Sequence, residues 1–250
     1  MEYYGCSDIG KRRQENQDTY LLHELPGGAL LALVCDGMGG VAGGATASVK
    51  AAECFCHTVS RLYGERYRQS GDADAFAIKL MMGDGVEQAC SSVYREAVEY
   101  PVYSGMGTTL SAVLLKENGS YYVANVGDSR VYHSYDENTI CQITRDDSYV
   151  QDLIDDGRIT ATEARTHPQR HIITQAVGSQ PKCSMRFHSG TLARGEKLLV
   201  CSDGLTNMVE DCELAPCIRE GNAETAAKRL CDMANENGGA DNITVVVLSL

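Results

Sequence analysis

The sequence lacks any apolar stretch that approaches the length of a membrane span. Its first residues, 1–8, have neither the basic start nor the long apolar core of a secretory signal. Internal repeats, low-complexity segments and long linkers are also missing. We therefore expect a cytoplasmic protein without membrane contact, built as one domain over residues 1–250, a length that can bury an ample core.

Positive charge is scarce as well. The chain has 22 Lys and Arg residues against 34 Asp and Glu residues, which gives a formal net charge of −12. A chain of this charge repels polyanions over most of its surface. We therefore expect no nucleic-acid partner.

Cysteine is plentiful, but the eleven residues are an odd number. We interpret them as reduced thiols that serve as small core side chains, as at Cys35 and Cys201 inside apolar runs. The alternative at 54–57, Cys-Phe-Cys-His, is a zinc site, but no second Cys/His pair has the usual spacing. The six histidines offer no catalytic triad, and Ser202 lacks the Gly-x-Ser-x-Gly elbow of serine hydrolases.

Strand-like and helical segments come in groups along the chain. Strands are predicted at 3–8, 19–24, 29–35, 108–116, 120–126, 130–135, 139–144, 183–188, 197–201 and 243–250, and helices at 45–63, 73–100, 211–219 and 223–237. Runs of strands with paired helices indicate an α+β fold with antiparallel sheets. Two sheets back to back, each with a helix pair outside, would bury every apolar face. We therefore predict a four-layer αββα sandwich.

The connecting segments are rich in glycine and polar residues. Turns are predicted at 27–28, 117–119 and 136–138, a glycine-rich corner at 37–44 and a polar loop at 64–72. The segment 146–180 is polar and contains Gly157 and Pro168. We predict that it forms a flap subdomain outside the core.

Four short segments place an aspartate beside glycine or asparagine, next to an apolar run. They are Asp36-Gly37-Met38-Gly39-Gly40, Gly127-Asp128-Ser129-Arg130, Ser202-Asp203-Gly204 and Ala240-Asp241-Asn242. Carboxylates at the ends of several core strands can meet in space, where two charges about 4 Å apart repel by roughly 4 kcal/mol at an effective dielectric of about 20. Such a cluster implies a divalent cation or partial protonation. We favour the cation.

These segments, with others in the same order, resemble a known family. The further segments are Ser7-Asp8-Ile9-Gly10, Arg13 followed by Asn16-Gln17-Asp18, Gly107-Thr108-Thr109, Asn125-Val126-Gly127-Asp128-Ser129-Arg130, Ser202-Asp203-Gly204-Leu205 and Asp241-Asn242-Ile243-Thr244. Over essentially the whole chain, the sequence is similar to the metal-dependent serine/threonine phosphatases of the PP2C type in their bacterial form. Each segment is a weak signal alone, and their joint order and spacing are specific.

The resemblance implies an enzyme that hydrolyses phosphoserine and phosphothreonine in proteins. Two Mg²⁺ or Mn²⁺ ions would share a water whose hydroxide attacks phosphorus, and oxygen-only ligands do select such hard cations. The implied partners are phosphorylated proteins, among them a bacterial serine/threonine kinase and its substrates, and the implied state is a monomer. Two alternatives stay open: a phosphatase of a partner-switching stress or sporulation pathway, and a catalytically silent regulator that binds phosphoproteins.

The resemblance also assigns roles to individual residues. Asp36 would bridge both metals, and the Gly37 carbonyl, Asp203 and Asp241 would complete their ligands. Asp128 would help to bind a weaker third ion. Arg13 would grip the substrate phosphate, and Asp18 would lie beside the site and hold metal-bound water.

Each of these residues also has a purely structural interpretation. Asp-Gly, Asp-Ser and Asp-Asn pairs, as at Asp36, Asp128 and Asp241, are common in turns. Arg13 is one of three consecutive basic residues, and Asp18 can be an ordinary acidic residue of a hairpin. Four positions depart from the family pattern. Gln17 stands where family members often have Glu, and Met38 stands where many eukaryotic relatives have a proton-donating His. Asp147 replaces a usual His, and His171 stands where Asn or Ser is common. We therefore assign no general acid from the sequence.

Overall fold

A computed structural model describes residues 1–136 and 138–250, apart from the side chains of Val41 and Ala42. The strands are β1 (Glu2–Asp8), β2 (Asp18–Leu25), β3 (Ala29–Met38), β4 (Gly107–Thr108), β5 (Leu110–Leu115), β6 (Ser120–Val126), β7 (Arg130–Ser134), β8 (Ile140–Gln142), β9 (Arg186–Thr191), β10 (Lys197–Cys201) and β11 (Ile243–Ser249). The helices are α1 (Gly40–Ser70), α2 (Ala75–Glu99), α3 (Tyr149–Asp155), α4 (Ala161–Arg165), α5 (Asp203–Thr206), α6 (Asp211–Arg219) and α7 (Ala223–Glu236). None of these described helices combines the length and apolarity that crossing a membrane requires.

The strands form two antiparallel sheets. One has the order β1-β11-β10-β7-β8, and the other has the order β2-β3-β5-β6-β9 with the short β4 added beside β3. The paired helices α1 and α2 cover the second sheet, and α6 and α7 cover the first. This arrangement confirms the predicted four-layer αββα sandwich.

The apolar side chains of a single strand explain why the sheets stack. In β3, Leu31 and Leu33 pack under α1 and α2, whereas Leu30 and Val34 face the other sheet. Successive side chains of a strand point to opposite faces, so a strand that is apolar on both faces needs a covering layer on each side. The helices supply one layer and the opposing sheet supplies the other.

Two predicted connections around α1 are wrong. The chain continues as strand to Met38, because Gly37 and Met38 pair with β4, and it is helical again from Gly40. Gly39 has φ 125°, a conformation that lets the chain turn from strand to helix within two residues. Residues 64–70 of the predicted loop at 64–72 are instead the last two turns of α1, and only Gly71 and Asp72 lie outside the helix. The predicted turn at 136–138 includes Glu137, which lies outside the described residues.

The segment 146–180 carries the short helices α3 and α4 and returns to the core at both ends. Asp146, Asp147 and Ser148 are buried at its start, and Val177 is buried at its end. Val177 exchanges two backbone hydrogen bonds with Thr108, which itself lies beside β3. The segment is therefore attached to the strand that carries Asp36. Its description as a separate flap subdomain stays a prediction.

Candidate functional site

Three predicted metal ligands lie next to neighbouring strand ends on one side of the first sheet. Asp203 follows the end of β10 with one residue between them. Asp241 precedes β11, an antiparallel neighbour of β10, again with one residue between them. Asp128 precedes β7, which is the other antiparallel neighbour of β10. Where neighbouring strands are antiparallel, the end of one lies beside the start of the next. The sheet order therefore brings these three aspartates together from positions far apart in sequence.

The second sheet contributes two more carboxylates. Asp18 at the start of β2 is the direct cross-strand partner of Asp36 in β3. Like charges directly opposite each other destabilise a strand pair, so this placement has a cost to the fold that a bound cation can offset. Asp18 is also tied to the first sheet, because Ser202 Oγ donates a hydrogen bond to Asp18 Oδ2 at 2.8 Å.

The carboxylates, apart from Asp18, line one cavity of about 810 Å³ that lies at the strand ends of both sheets and next to the flap. Its lining includes six predicted site residues, namely Arg13, Asp36, Gly37, Asp128, Asp203 and Asp241. Asp18 lies behind this lining, opposite Asp36. The structure thus gathers the residues that the sequence singled out, while their metal-binding and catalytic roles stay predictions.

The electrostatics of the cluster are unfavourable for ionised carboxylates. Burial raises the pKa of Asp36 well above its usual range, and the charges of Asp18 and Asp203 raise it further. Burial likewise raises the pKa of Asp128, and of Asp203 beside Asp241. The pKa of Asp18 is raised to about 7, mainly by burial, although hydrogen bonds from Thr244 and Ser202 oppose the shift. In the absence of a cation these acids hold protons that exposed aspartates would lose.

Three oxygens of this cluster fit a hard cation. Oδ1 of Asp18, Asp128 and Asp203 are buried and have no hydrogen-bond partner. Two of these side chains are anchored by the other oxygen, since Asp18 Oδ2 accepts from Ser202 and Asp203 Oδ2 accepts from Asn207 Nδ2 at 2.9 Å. Buried polar atoms almost always have partners, and unpartnered carboxylate oxygens suit Mg²⁺ or Mn²⁺.

The side chains are not arranged around a single point, however. Within residues 1–136 and 138–250, no three His, Cys, Asp or Glu side chains are arranged to hold an ion as they stand. One reason is visible at Asp241, whose Oδ2 accepts a hydrogen bond from Arg13 Nη2 at 2.7 Å. Metal binding would therefore require Asp241 to turn from the guanidinium toward the cluster.

Asn242, which the sequence showed only as part of a short motif, holds the segment that carries Arg13. Its Oδ1 accepts from the backbone N–H of Gln17 at 2.9 Å, and its Nδ2 donates to the carbonyls of Ile9 and Glu15, both at 3.0 Å. Asn242 is nearly fully buried, so these bonds are shielded from water. Arg13 is therefore positioned from the start of β11.

The backbone around Asp36 is fixed just as tightly. The Asp36 carbonyl accepts from Thr108 Oγ1 at 2.8 Å and from the Thr109 N–H at 2.9 Å. A Cβ at position 37 would lie 2.1 Å from the carbonyl oxygen of Gly44, so no side chain fits there. Glycine is therefore required at position 37 by its packing against α1, whereas the metal-ligand role of its carbonyl stays a prediction.

The flap adds two arginines that the sequence analysis did not predict, together with His171. Arg165, Arg170 and His171 line the same cavity as the aspartates. Their segment is polar throughout, so the sequence carried no signal for Arg165 and Arg170. His171 was noted only as a departure from the family pattern. Asp147, at the position of a usual His, is buried at the flap base and accepts from the Gly127 N–H at 3.1 Å and from Arg186 Nε at 2.8 Å. It fixes the turn before Asp128.

Comparisons with known proteins agree with this geometry. The family profile described as Protein phosphatase 2C matches residues 10–243. The chain is 37% identical over 251 residues to the serine/threonine protein phosphatase PstP of Mycobacterium tuberculosis, covering 99% of this chain and 44% of PstP. It is 32% identical over 258 residues to the protein phosphatase PhpP of Streptococcus pneumoniae, covering 100% of this chain and 98% of PhpP. The chain thus spans less than half the length of the mycobacterial relative.

Solved structures give the same result. The crystal structure of the M. tuberculosis phosphatase PstP/Ppp superposes with a TM-score of 0.86 at 33% identity, covering 99% of this chain and 97% of that one. The catalytic domain of PstP in complex with two manganese ions gives a TM-score of 0.82 at 31% identity, covering 98% and 96%. With a profile match over nearly the whole chain and relatives above 30% identity, the protein belongs to the protein phosphatase 2C family.

Proposed function

We propose that this chain is a metal-dependent phosphatase that hydrolyses phosphoserine and phosphothreonine in proteins. The observation that carries the proposal is the gathering of Asp36, Asp128, Asp203 and Asp241 around one cavity that also holds Arg13. The metal requirement is supported by the unpartnered carboxylate oxygens and by the two manganese ions of the PstP catalytic domain. The names of the relatives support the reaction class.

Asp36, Asp203, Asp241 and the Gly37 carbonyl would hold two Mg²⁺ or Mn²⁺ ions, and Asp128 would contribute to a weaker third site. When bound, such ions polarise the phosphoryl group and acidify water near neutral pH. Asp18 lies opposite Asp36 and has a buried Oδ1 without a hydrogen-bond partner, which could accept a proton or a water hydrogen. The Oδ1 atoms of Asp18, Asp128 and Asp203 are buried, and electrostatic interactions are stronger where water is excluded.

Arg13 is the group that would orient the substrate. Its side chain is 53% exposed at the cavity, with its guanidinium at Asp241. A planar guanidinium can donate two parallel hydrogen bonds to a phosphoryl group, which fixes the direction of attack as well as the position. Binding of a cation by Asp241 would leave this fork free for phosphate.

Departure of an alkoxide from phosphorus is aided by a proton, and Met38 cannot supply one. His171 of the flap is the histidine that lines the described cavity, which it shares with Asp203. We therefore include His171 in the proposal as the proton donor to the leaving serine or threonine oxygen. Arg165 and Arg170 beside it would attract acidic residues near the phosphorylated one.

The proposal extends to the biological setting. We infer a monomeric cytoplasmic enzyme that opposes a serine/threonine kinase and acts on the phosphorylated proteins of that system. The support is the named function of PstP and PhpP, together with a cavity open to one face of the protein and bordered by flap arginines.

Metal removal and return tests the reaction. The protein is treated with a chelator, and release of phosphate from a phosphothreonine peptide is then followed while Mn²⁺ or Mg²⁺ is added. We expect chelation to abolish turnover and either ion to restore it, with little effect of okadaic-type inhibitors. Turnover that survives complete chelation contradicts the metal-dependent mechanism. Peptide binding without turnover in Mn²⁺ would instead identify a silent phosphoprotein-binding regulator.

A further inference from the structure

A pair of cysteines lies where the two ends of the chain meet. Cys6 is in the middle of β1, and Cys231 is on the face of α7 that packs against the first sheet. Cys231 Sγ lies 3.9 Å from the backbone oxygen of Cys6, and the Cys6 side chain packs against the apolar cluster that contains Cys231. Cys231 is 3% exposed, whereas Cys6 is only half-buried. One thiol of the pair can therefore be reached from solvent, and the other lies directly behind it.

The thiol pair is the first contact of a continuous seam between residues 6–13 and residues 231–242. One turn further along α7, Asn235 Nδ2 donates to Asp8 Oδ1 at 3.0 Å. The Lys11 N–H then donates to the Gly239 carbonyl at 2.7 Å, and the seam ends at Arg13 and Asp241. The two segments of the seam thus run side by side from the cysteines to the proposed phosphate and metal ligands.

We propose that Cys6 and Cys231 are a reversible oxidation site, at which a peroxide-class oxidant converts the two thiols into a disulfide that closes this seam. The inference stands on the facing thiols, the accessibility of one of them and the contacts that follow along the seam. It does not depend on the phosphatase activity, since it concerns the bond between the two chain ends.

The oxidation follows the usual order of steps for two neighbouring thiols. The interaction with Cys231 lowers the pKa of Cys6 to about 7, so a large share of Cys6 is thiolate at neutral pH. The thiolate attacks one peroxide oxygen, the O–O bond breaks and hydroxide leaves, which gives a sulfenic acid on Cys6. Cys231 then attacks the Cys6 sulfur and water leaves as the S–S bond forms. Two thiols lose two electrons, and one hydrogen peroxide becomes two water molecules.

A second thiol contact, between Cys90 and Cys183, has to be separated from the first. We would therefore use Cys90→Ser as the background, which leaves Cys6 and Cys231 intact. The full-length protein is treated with dilute hydrogen peroxide, alkylated and digested with trypsin without reduction. Residues 1–11 contain only Cys6 and residues 230–250 contain only Cys231, so a disulfide between them gives one unambiguous linked peptide.

We expect this linked peptide to appear, with a mass about 2 Da below the sum of the two thiol peptides, and to vanish after reduction. Adding Cys231→Ser should abolish it and leave Cys6 as a sulfenic or sulfinic acid. Oxidation of Cys6 to sulfinic acid while Cys231 is present would overturn the proposal, as would a lack of any reaction at either residue.

Amide hydrogen exchange provides a second, independent readout. A cross-link at the first contact of the seam limits its opening, so exchange of residues 6–13 and 231–242 should slow by about tenfold or more in the oxidised protein. The Cys6→Ser protein treated in the same way should show no slowing. Equal exchange in the oxidised and reduced proteins would contradict the claim that the bond closes the seam.

Discussion

Arg13 and Asp241, which are 228 positions apart in sequence, form an ion pair with an Nη2–Oδ2 distance of 2.7 Å. The pair joins the residue proposed to bind phosphate to one proposed to bind metal. Arg13 is half exposed, and ion pairs of this kind contribute at most about 1 kcal/mol. A cation can therefore displace Arg13 from Asp241 at little cost, which would couple metal loading to the readiness of Arg13 for substrate.

Replacing Arg13 tests the phosphate role. We expect Arg13→Ala to lower kcat/KM for a phosphothreonine peptide by about 10²-fold or more, because a charge-assisted pair to phosphate is worth roughly 1.5–3 kcal/mol and sets orientation as well. Arg13→Lys should recover only part of this loss, since an ammonium cannot bind in a bidentate way. Arg12→Ala is the matched control. Equal kinetics of Arg13→Ala and Arg12→Ala would remove Arg13 from the mechanism.

A pair of glycine substitutions tests the backbone next to Asp36. We expect Gly37→Ala to destabilise the protein by about 1–3 kcal/mol and to weaken Mn²⁺ binding at least tenfold, because its Cβ would collide with the Gly44 carbonyl. Gly83→Ala in α2 meets no atom within 4 Å and should stabilise by about 0.5–1 kcal/mol. Urea unfolding and Mn²⁺ titration measure both effects. Normal Mn²⁺ affinity in Gly37→Ala would show that this backbone is not part of the metal site.

Asp18 gives the metal-free protein an unusual pH dependence. Its pKa is about 7 in the folded state against an ordinary value of 3.8, so the folded state binds more protons between these values. Stability of the metal-free protein should therefore fall as pH rises through this window. Asp18→Asn removes the ionisation and should be more stable than the unsubstituted protein at pH 7.5 in chelator.

Mn²⁺ should reverse that order, because ionised carboxylates bind the cation and an amide does so more weakly. Urea unfolding at pH 5.5 and 7.5, with chelator and with Mn²⁺, measures the four combinations. If Asp18→Asn were less stable than the unsubstituted protein in chelator at pH 7.5, burial would not be what raises the pKa of Asp18.

The proton-donor role of His171 predicts a dependence on the leaving group. We expect His171→Asn to lower kcat for a phosphothreonine peptide by about 10²-fold, while hydrolysis of p-nitrophenyl phosphate changes little because its phenolate leaves without a proton. An equal loss on both substrates would assign His171 to substrate binding or flap structure.

The fold was predictable because apolar runs and helix pairs are local signals. The strand at 197–201 was predicted with the same bounds, and β3 showed its two buried faces as a continuous run of apolar residues. The helical start at Gly40 was not predictable, because glycine disfavours helices in isolation. There, Gly39 packs so closely against Met106 that a larger residue would clash, and this tertiary contact overrides helix propensity.

The residues of the site likewise include some that the sequence predicts and some that it does not. Asp36, Asp128, Asp203 and Asp241 adjoin strong strand signals, so their order along the chain was informative. Arg165, Arg170 and His171 stand in a polar segment whose approach to the cavity depends on contacts at the flap base. No local pattern encodes that approach, and only the folded chain reveals it.

The central claim is that carboxylates from both sheets hold a pair of hard cations used for phosphate hydrolysis. Calorimetric titration of the chelator-treated protein and of Asp36→Asn with Mn²⁺ tests it most directly, with phosphothreonine peptide turnover measured on the same samples. We predict about two Mn²⁺ per chain for the unsubstituted protein. In Asp36→Asn, we predict loss of at least one ion and a fall in turnover of about 10³-fold or more. Unchanged stoichiometry and unchanged turnover in Asp36→Asn would contradict the account.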